Sequence, residues 1–283
     1  MRYCYAIATC ALLLLLPGMA QASLFYSANG LGNLLTYDTA GNLLFSTPLT
    51  GSPGTIIALA VQPGTGTLFG DAEWNPAGGS GSGSGTTTTD YLVTINPNSG
   101  AVTTIGEIQS GGAAYNLGTT NLAFLANGNL YGAFGAAGIS PPNGGDPLYE
   151  VDPLDGSITQ IGGNLEGGLA GDTGLVQYST TFGNLYTVDT GSGNRSLLAT
   201  TSSAALTRSL TFGPNGLLYL IDSAGNLDHF DNGYHLVTGP ALVQSPNSNI
   251  LAYAQDSFSP EPAAFGLLGA GIAGLFVFRK YLR

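Results

Sequence analysis

The chain has 283 residues, of which 44 are glycine and 15 proline, with 43% hydrophobic and only 8% charged residues. That balance holds enough apolar material for a core and excludes both a salt-bridged helical protein and a highly charged disordered one. Six basic residues against 17 acidic ones leave a net charge of −11, so there is no basic footprint and nucleic acid is not an expected partner.

Residues 1–22 contain the parts of a secretory signal in order. Arg2 is the positive start, 11–16 is the apolar run, and Ala20-Gln21-Ala22 is a small-x-small cleavage site before Ser23. Cys4 and Cys10 both fall inside this segment. The exported chain is therefore expected to carry no disulfide, thiolate ligand or cysteine nucleophile, and to depend on burial for stability.

From 23 to 258 the sequence repeats itself. ALAVQPGTGTLFGDAE (58–73) is followed by YLVTINPNSGAVTTIGE (91–107), and LAFLANGNLYGAFG (122–135) by PLYEVDPLDGSITQIGG (147–163). LTFGPNGLLYLIDSAGNLDHFD (210–231) leads into YHLVTG (234–239), while 33–48 and 184–200 are partial copies. Each copy reads as short alternating strands joined by Asn-Gly, Asp-Gly, Ala-Gly or Ser-Gly turns. An Asp or Asn recurs where a strand ends (Asp38, Asn96, Asp152, Asp189, Asp222), placed to cap the following turn through a backbone N–H. Those markers stand 58, 56, 37 and 33 residues apart. Loop insertions at 75–89, a Gly/Ser/Thr tract, and at 138–146 account for the two long intervals. Without them the unit is about 35–45 residues, the size of a four-stranded propeller blade. No stretch keeps a 3.6-residue apolar period free of glycine, which excludes a helical solenoid.

The segment 24–49 offers three strands, one short of a blade, and 249–255 offers one strand with nothing after it. Pairing them completes a blade from the two chain ends and removes loose sheet edges. The expected fold is therefore all-β: a propeller of about five four-stranded blades. One blade is shared between the ends; the others lie around 55–108, 118–165, 173–200 and 206–243. Six blades and a two-sheet sandwich are the alternatives.

Two clusters carry candidate chemistry. His229, Asp231 and His235 are the candidate metal ligands, since imidazole and carboxylate suit Zn, Ni or Fe. All three lie within one hairpin, so a polar strand edge is the competing reading. Asp71, Glu73 and Trp74, at the mouth of the 75–89 loop, could grip a sugar face, and an aromatic packed under the loop is the competing reading. No Gly-x-Ser-x-Gly, His-Glu-x-x-His or Walker-type loop occurs. No catalytic residue and no cofactor is expected.

The last 25 residues carry a second address. Residues 263–278 hold no charge and would span about 24 Å as a helix. That suffices for a transmembrane helix if the flanking Arg279, Lys280 and Arg283 snorkel, and they are expected on the cytoplasmic side. Pro260-Glu261-Pro262 stands just before, held extended by its prolines. All 17 acidic residues lie between 23 and 262, opposed there only by Arg195 and Arg208.

The order Pro-Glu-Pro, Gly/Leu-rich span, basic tail over 259–283 resembles the PEP-CTERM sorting signal of Gram-negative bacteria. That resemblance implies recognition of Pro260, Glu261 and Pro262 by an exosortase, a membrane cysteine transpeptidase. It also implies transient inner-membrane anchoring with the ectodomain in the periplasm, cutting near the motif, and delivery to the cell envelope or exopolysaccharide matrix. The ectodomain repeats resemble the LYxVDxxTGxxTxIG repeats of secreted bacterial propellers. The expected function is a non-enzymatic scaffold or binding module, with exopolysaccharide or envelope proteins as candidate partners. The alternatives are a periplasmic propeller hydrolase or lyase with a metal at the central channel, and a structural filler of the matrix.

Overall fold

The computed structural model describes residues 23–74, 89–110, 113–114, 117–136, 146–165, 167–179, 183–201, 209–243 and 250–254. The signal segment with Ala20 and Ala22 lies outside them, as does the sorting segment with Pro260, Glu261, Pro262, Arg279, Lys280 and Arg283. Among the described residues no helix is long and apolar enough to cross a membrane.

The alternating pattern becomes strands throughout. Blade one begins with β1 (Leu24–Ala28), β2 (Asn33–Asp38) and β3 (Leu43–Pro48). Blade two is β4 (Thr55–Val61), β5 (Leu68–Trp74), β6 (Thr89–Ile95) and β7 (Val102–Glu107). A small pair, β8 (Gln109–Ser110) and β9 (Ala113–Ala114), precedes blade three: β10 (Leu117–Phe124), β11 (Leu130–Ala136), β12 (Asp146–Val151) and β13 (Ile158–Leu165). Blade four is β14 (Gly168–Gly171), β15 (Leu175–Ser179), β16 (Asn184–Val188) and β17 (Arg195–Thr200). Blade five is β18 (Thr211–Phe212), β19 (Leu218–Ile221), β20 (Leu227–Phe230) and β21 (Leu236–Val237), and β22 (Ala252–Ala254) comes last.

Each blade is one antiparallel four-stranded sheet in sequence order, except the first, whose order is β22-β1-β2-β3. The chain ends therefore pair as expected: Leu24 faces Ala254, Phe25 faces Tyr253, and Tyr26 faces Ala252. The Ser27 hydroxyl adds a buried bond to the Ile250 carbonyl at 2.6 Å. Blade four starts earlier than its expected 173, because Gly168–Gly171 supplies its innermost strand.

The innermost strands β22, β4, β10, β14 and β18 touch in a closed ring, which makes the five sheets a propeller. Five separate cores fill the seams between blades. Tyr26, Leu34, Leu68 and Val93 fill the first seam, and Phe69, Leu92, Leu130 and Tyr149 the second. Tyr131, Leu148 and Leu175 fill the third, Tyr178, Leu185 and Phe230 the fourth, and Phe25, Leu35, Tyr37 and Ile221 the fifth. Aromatic pairs bridge three seams: Phe69–Phe124 at 5.1 Å, Tyr178–Phe230 at 5.6 Å and Phe25–Tyr219 at 4.9 Å. Each pair adds about 0.5–1.5 kcal/mol beyond its buried area.

The outer strands are twisted by a repeated device. In four blades the outermost pair has a register shift near the turn, three pairs from it in blades two, three and four and one pair from it in blade one. It leaves Leu44, Ile105, Ile161 and Leu198 as the extra residue. A bulge bends its strand and increases local twist, which turns the end of one blade toward the turn of the next. There Thr50 pairs with Ala101 and Gln109 with Ser157. Gly100, at φ +71°, lies so close to the Pro48 carbonyl that a Cβ would collide with it.

Tyr37 is fully buried in the fifth seam and donates a 2.8 Å bond to the Val243 carbonyl. Burial pushes its phenol up to about 12. A tyrosine raised in the folded state contributes stability that is whole below pH ~10 and is lost as pH climbs toward the folded value. Tyr37→Phe is expected to lower stability at pH 8 by about 1 kcal/mol and to flatten the loss between pH 10 and 12. Denaturant titrations across that range would show it; an unchanged alkaline slope would contradict it.

Candidate functional site: the central channel and its two ends

The channel is built from one recurring dipeptide. Leu59-Ala60, Leu122-Ala123, Leu169-Ala170, Leu210-Thr211 and Leu251-Ala252 occupy equivalent places on or beside the five innermost strands. Neighbouring residues on a strand point to opposite sheet faces, and a blade's faces are its seams. Leu59 accordingly packs into the first core and Ala60 into the second. Leu122 joins the second and Ala123 the third; Leu169 joins the third and Ala170 the fourth. Leu210 belongs to the fourth core, Leu251 to the fifth and Ala252 to the first. At four of the five seams a leucine from one blade thus meets an alanine from the blade before it, which suits sheets converging on an axis.

With those side chains turned into the seams, the channel wall is strand edge. Consecutive residues of both parities line a cavity of about 450 Å³, including Leu59 to Val61, Leu122 to Phe124, Leu169 to Gly171 and Leu251 to Tyr253. Backbone amides of the inner strands therefore contribute to the wall, together with polar residues such as Gln62, Thr211 and Asp172. The cavity opens where the inner strands end, among the turns carrying Pro63, Ala126, Asp172 and Pro214.

The candidate metal ligands do not converge. His229 is half-buried and stacks on Tyr219 at 5.4 Å and 28°. Asp228, its neighbour, points the other way, is buried, and accepts the Gly239 N–H at 3.0 Å. Burial raises the Asp228 carboxyl above the usual range. Asp231 and His235 are a turn. The Asp231 carboxylate accepts the N–H groups of Gly233 and His235, each at 2.8 Å, and the His235 ring lies 3.3 Å away. Those bonds, led by the His235 N–H, lower the Asp231 carboxyl. Among the described residues no three His, Cys, Asp or Glu side chains group as a metal site would require.

The candidate sugar grip at Asp71, Glu73 and Trp74 is not assembled either. Glu73 lies opposite Asp90 in register, and Asp71 shares that face. All three are buried toward the second seam, whereas Trp74 sits on the other face and is 45% exposed. One step along a strand reverses the side chain, so an acid at 73 and an indole at 74 cannot face one ligand.

The recurring turn acids do the expected structural work. The Asp38 carboxylate accepts the Ala40 and Asn42 N–H groups at 2.9 and 2.8 Å, and Asp189 accepts Ser192 in the same manner. In Asp38 the side-chain bond from Asn42 is the main cause of a lowered carboxyl. One equivalence needs correction. Asp38, Asn96, Asp152 and Asp189 each follow the third strand of a blade, but Asp222 follows the second; the matching position in blade five is Asp231. There Tyr234, at φ 60°, occupies the left-handed place that Gly41 fills in blade one.

The Leu-Ala dipeptide escaped the sequence reading. Its copies are 63, 47, 41 and 41 residues apart, so insertions blur the period, and Leu and Ala are among the commonest residues. Aligning on the strand before each Gly-containing hairpin turn would have found it.

No protein-family model matches the chain, and no curated protein matches it. Solved structures do. One chain in a crystal structure of the nidogen/laminin complex superposes with a TM-score of 0.50 at 12% identity, covering 83% of this chain and 98% of that one. A protein of unknown function from Bacteroides caccae gives 0.46 at 9% identity, covering 83% of this chain and 100% of that one. At such identity the first likeness concerns the fold alone, and it agrees with the propeller arrangement.

Proposed function

We propose that the protein is a non-enzymatic module, exported and sorted to the cell envelope or matrix by an exosortase acting at Pro260-Glu261-Pro262. Its propeller serves there as a scaffold or binding surface, with exopolysaccharide or envelope proteins as candidate partners. The observation that carries the non-enzymatic part is the channel wall. Leu59, Leu122, Leu169, Leu210 and Leu251, and the alanines that follow four of them, pack into the seam cores, which turns the strand edges toward the axis. A channel enzyme needs acids, bases or metal ligands aimed inward from several blades. The exported and sorted part is supported by the signal-like 1–22 and the ordered motif, span and basic tail of 259–283.

Mass spectrometry of the protein from cells with and without their exosortase tests the sorting. The expected result is a chain beginning at Ser23 and ending near Pro262 in the first case, and one retaining Arg283 in the second. An intact tail in both would end the sorting reading. Metal analysis of the purified protein tests the other half: a stoichiometric bound transition metal would overturn the scaffold reading in favour of the metal-dependent hydrolase or lyase.

A further inference from the structure

In every blade the third strand runs back toward the channel mouth, as when Leu24 pairs with Asp38, Leu130 with Val151 and Leu175 with Val188. The turn after that strand lies at the mouth end and closes the seam toward the preceding blade. In four blades a left-handed glycine makes the contact: Gly100 stands against Pro48, Gly156 against Glu107, Gly193 against Gly162 and Gly41 against Pro240. In blade five the same place is taken by Tyr234 at φ 60°, whose N–H donates to the Asp231 carbonyl as that of Gly41 does to Asp38. A side chain is uncommon at such a φ and is held there by its surroundings. The Tyr234 ring packs on the fourth core.

Beside that ring the seam between blades four and five is open. A cavity of about 150 Å³ lies between Val176 and Leu198 of blade four and Phe212, Leu218, Phe230 and Tyr234 of blade five. An apolar cavity of that size takes one benzene-sized ring. The polar side chains of its lip are Asp231 and Asn232, and the Asp231 carboxylate is already engaged by the Gly233 and His235 N–H groups. A pyranose carries a hydroxyl on most ring carbons and needs several placed donors and acceptors, which this lining does not supply. An apolar side chain needs none.

Charge narrows the occupant. The lowered Asp231 carboxyl is ionised at neutral pH, and turns at the same end hold Asp38, Asp152, Asp155 and Asp189, joined by Asp172. Among the described residues Arg195 is the one arginine or lysine. It lies over the Tyr186 ring at 4.9 Å and donates to Gln177 at 3.3 Å. A second copy of the chain, or an anionic polymer, meets like charge here, whereas a cationic segment meets its opposite.

We propose that the pocket between blades four and five is a docking site for a protein partner, seating one aromatic or large aliphatic side chain whose neighbours are lysine or arginine. This rests on the binding-surface reading above and selects an envelope protein over exopolysaccharide.

The test uses the full chain in nanodiscs of deuterated phosphatidylcholine and saturation-transfer NMR. The probes are three acetylated, amidated tripeptides at millimolar concentration: Lys-Phe-Lys, Glu-Phe-Glu and Lys-Ala-Lys. The expected result is strong saturation of the phenylalanine ring in Lys-Phe-Lys, a signal a few-fold weaker in Glu-Phe-Glu, as one exposed charge pair allows, and none in Lys-Ala-Lys. Leu198→Trp fills the pocket, and Tyr234→Gly removes a wall at a φ that glycine adopts freely; each should cut the ring signal several-fold. Asp231→Asn should abolish the preference for lysine and keep the ring signal. Its turn is expected to survive, because Asn96 accepts the Asn98 and Ser99 N–H groups at the same place in blade two. A ring signal that is absent, or that persists in both Leu198→Trp and Tyr234→Gly, would overturn the pocket. Saturation of free hexoses, or dimerisation of the chain, that Leu198→Trp removes would overturn the choice of partner. The wider reading fails separately, through a bound transition metal.

Discussion

A chain that ends at residue 249 is expected to lose its cooperative thermal transition, whereas one that ends at Ala254 keeps it. The five residues between include Ile250 and Leu251, 1% and 4% exposed. Full burial of each such side chain is worth about 1.5–3 kcal/mol. Tyr253 adds its ring contact with Phe25 at 5.1 Å, and the whole Leu24–Tyr26 ladder loses its partner. The sum approaches the ~5–15 kcal/mol that holds an ordinary domain together. It also leaves an unpaired strand edge able to template association. A milder probe of the same closure is Ser27→Ala, which strips the buried Ile250 carbonyl of its donor and should cost about 1–3 kcal/mol. Circular dichroism melts of the two truncated chains decide the matter. Equal melting of both would mean that the ring does not depend on its last strand.

The second large effect is expected at the inner ring. Leu169→Ala removes the large partner at the third seam and should destabilise the protein by about 2–5 kcal/mol. Ala123→Leu overfills the same seam and should cost about 1–3 kcal/mol. Ala123 and Leu169 belong to the same core, so the double variant exchanges their volumes across one interface. Its cost is expected to be clearly smaller than the two single costs added, since residues in contact couple by about 0.5–3 kcal/mol. Strict additivity in urea titrations would contradict the picture of complementary large and small residues around the axis.

Much of this architecture was readable before any coordinates. The one-strand deficit at 24–49 and the lone strand near 250 could be matched because a sheet edge is costly and a blade has a fixed strand number. The turn acids could be given structural roles because Asp38 and Asp189 are followed by Gly and small residues at Asx-turn spacing. The same local logic misplaced Asp222. Its turn chemistry is indistinguishable from that of Asp38: Asp222 accepts Ala224 and Asn226 just as Asp38 accepts Ala40 and Asn42. Only the strand order of blade five distinguishes them. The Asp71, Glu73 and Trp74 cluster failed for a related reason. Proximity in sequence says little about direction when each step along a strand reverses the side chain.

Local and pairwise rules were thus available from the sequence itself: alternating apolar residues, turn-forming Asx and Gly, an unfilled blade, and two ends that read as transport signals. They determined an all-β repeat protein closed by its termini. Which side chains look into the channel depended on where the axis falls, and that is settled only when five sheets converge. Convergence turns Leu59, Leu122, Leu169, Leu210 and Leu251 into the seams, leaves backbone to face the axis, and brings Ser23 and Ala254 out at the same end of the ring.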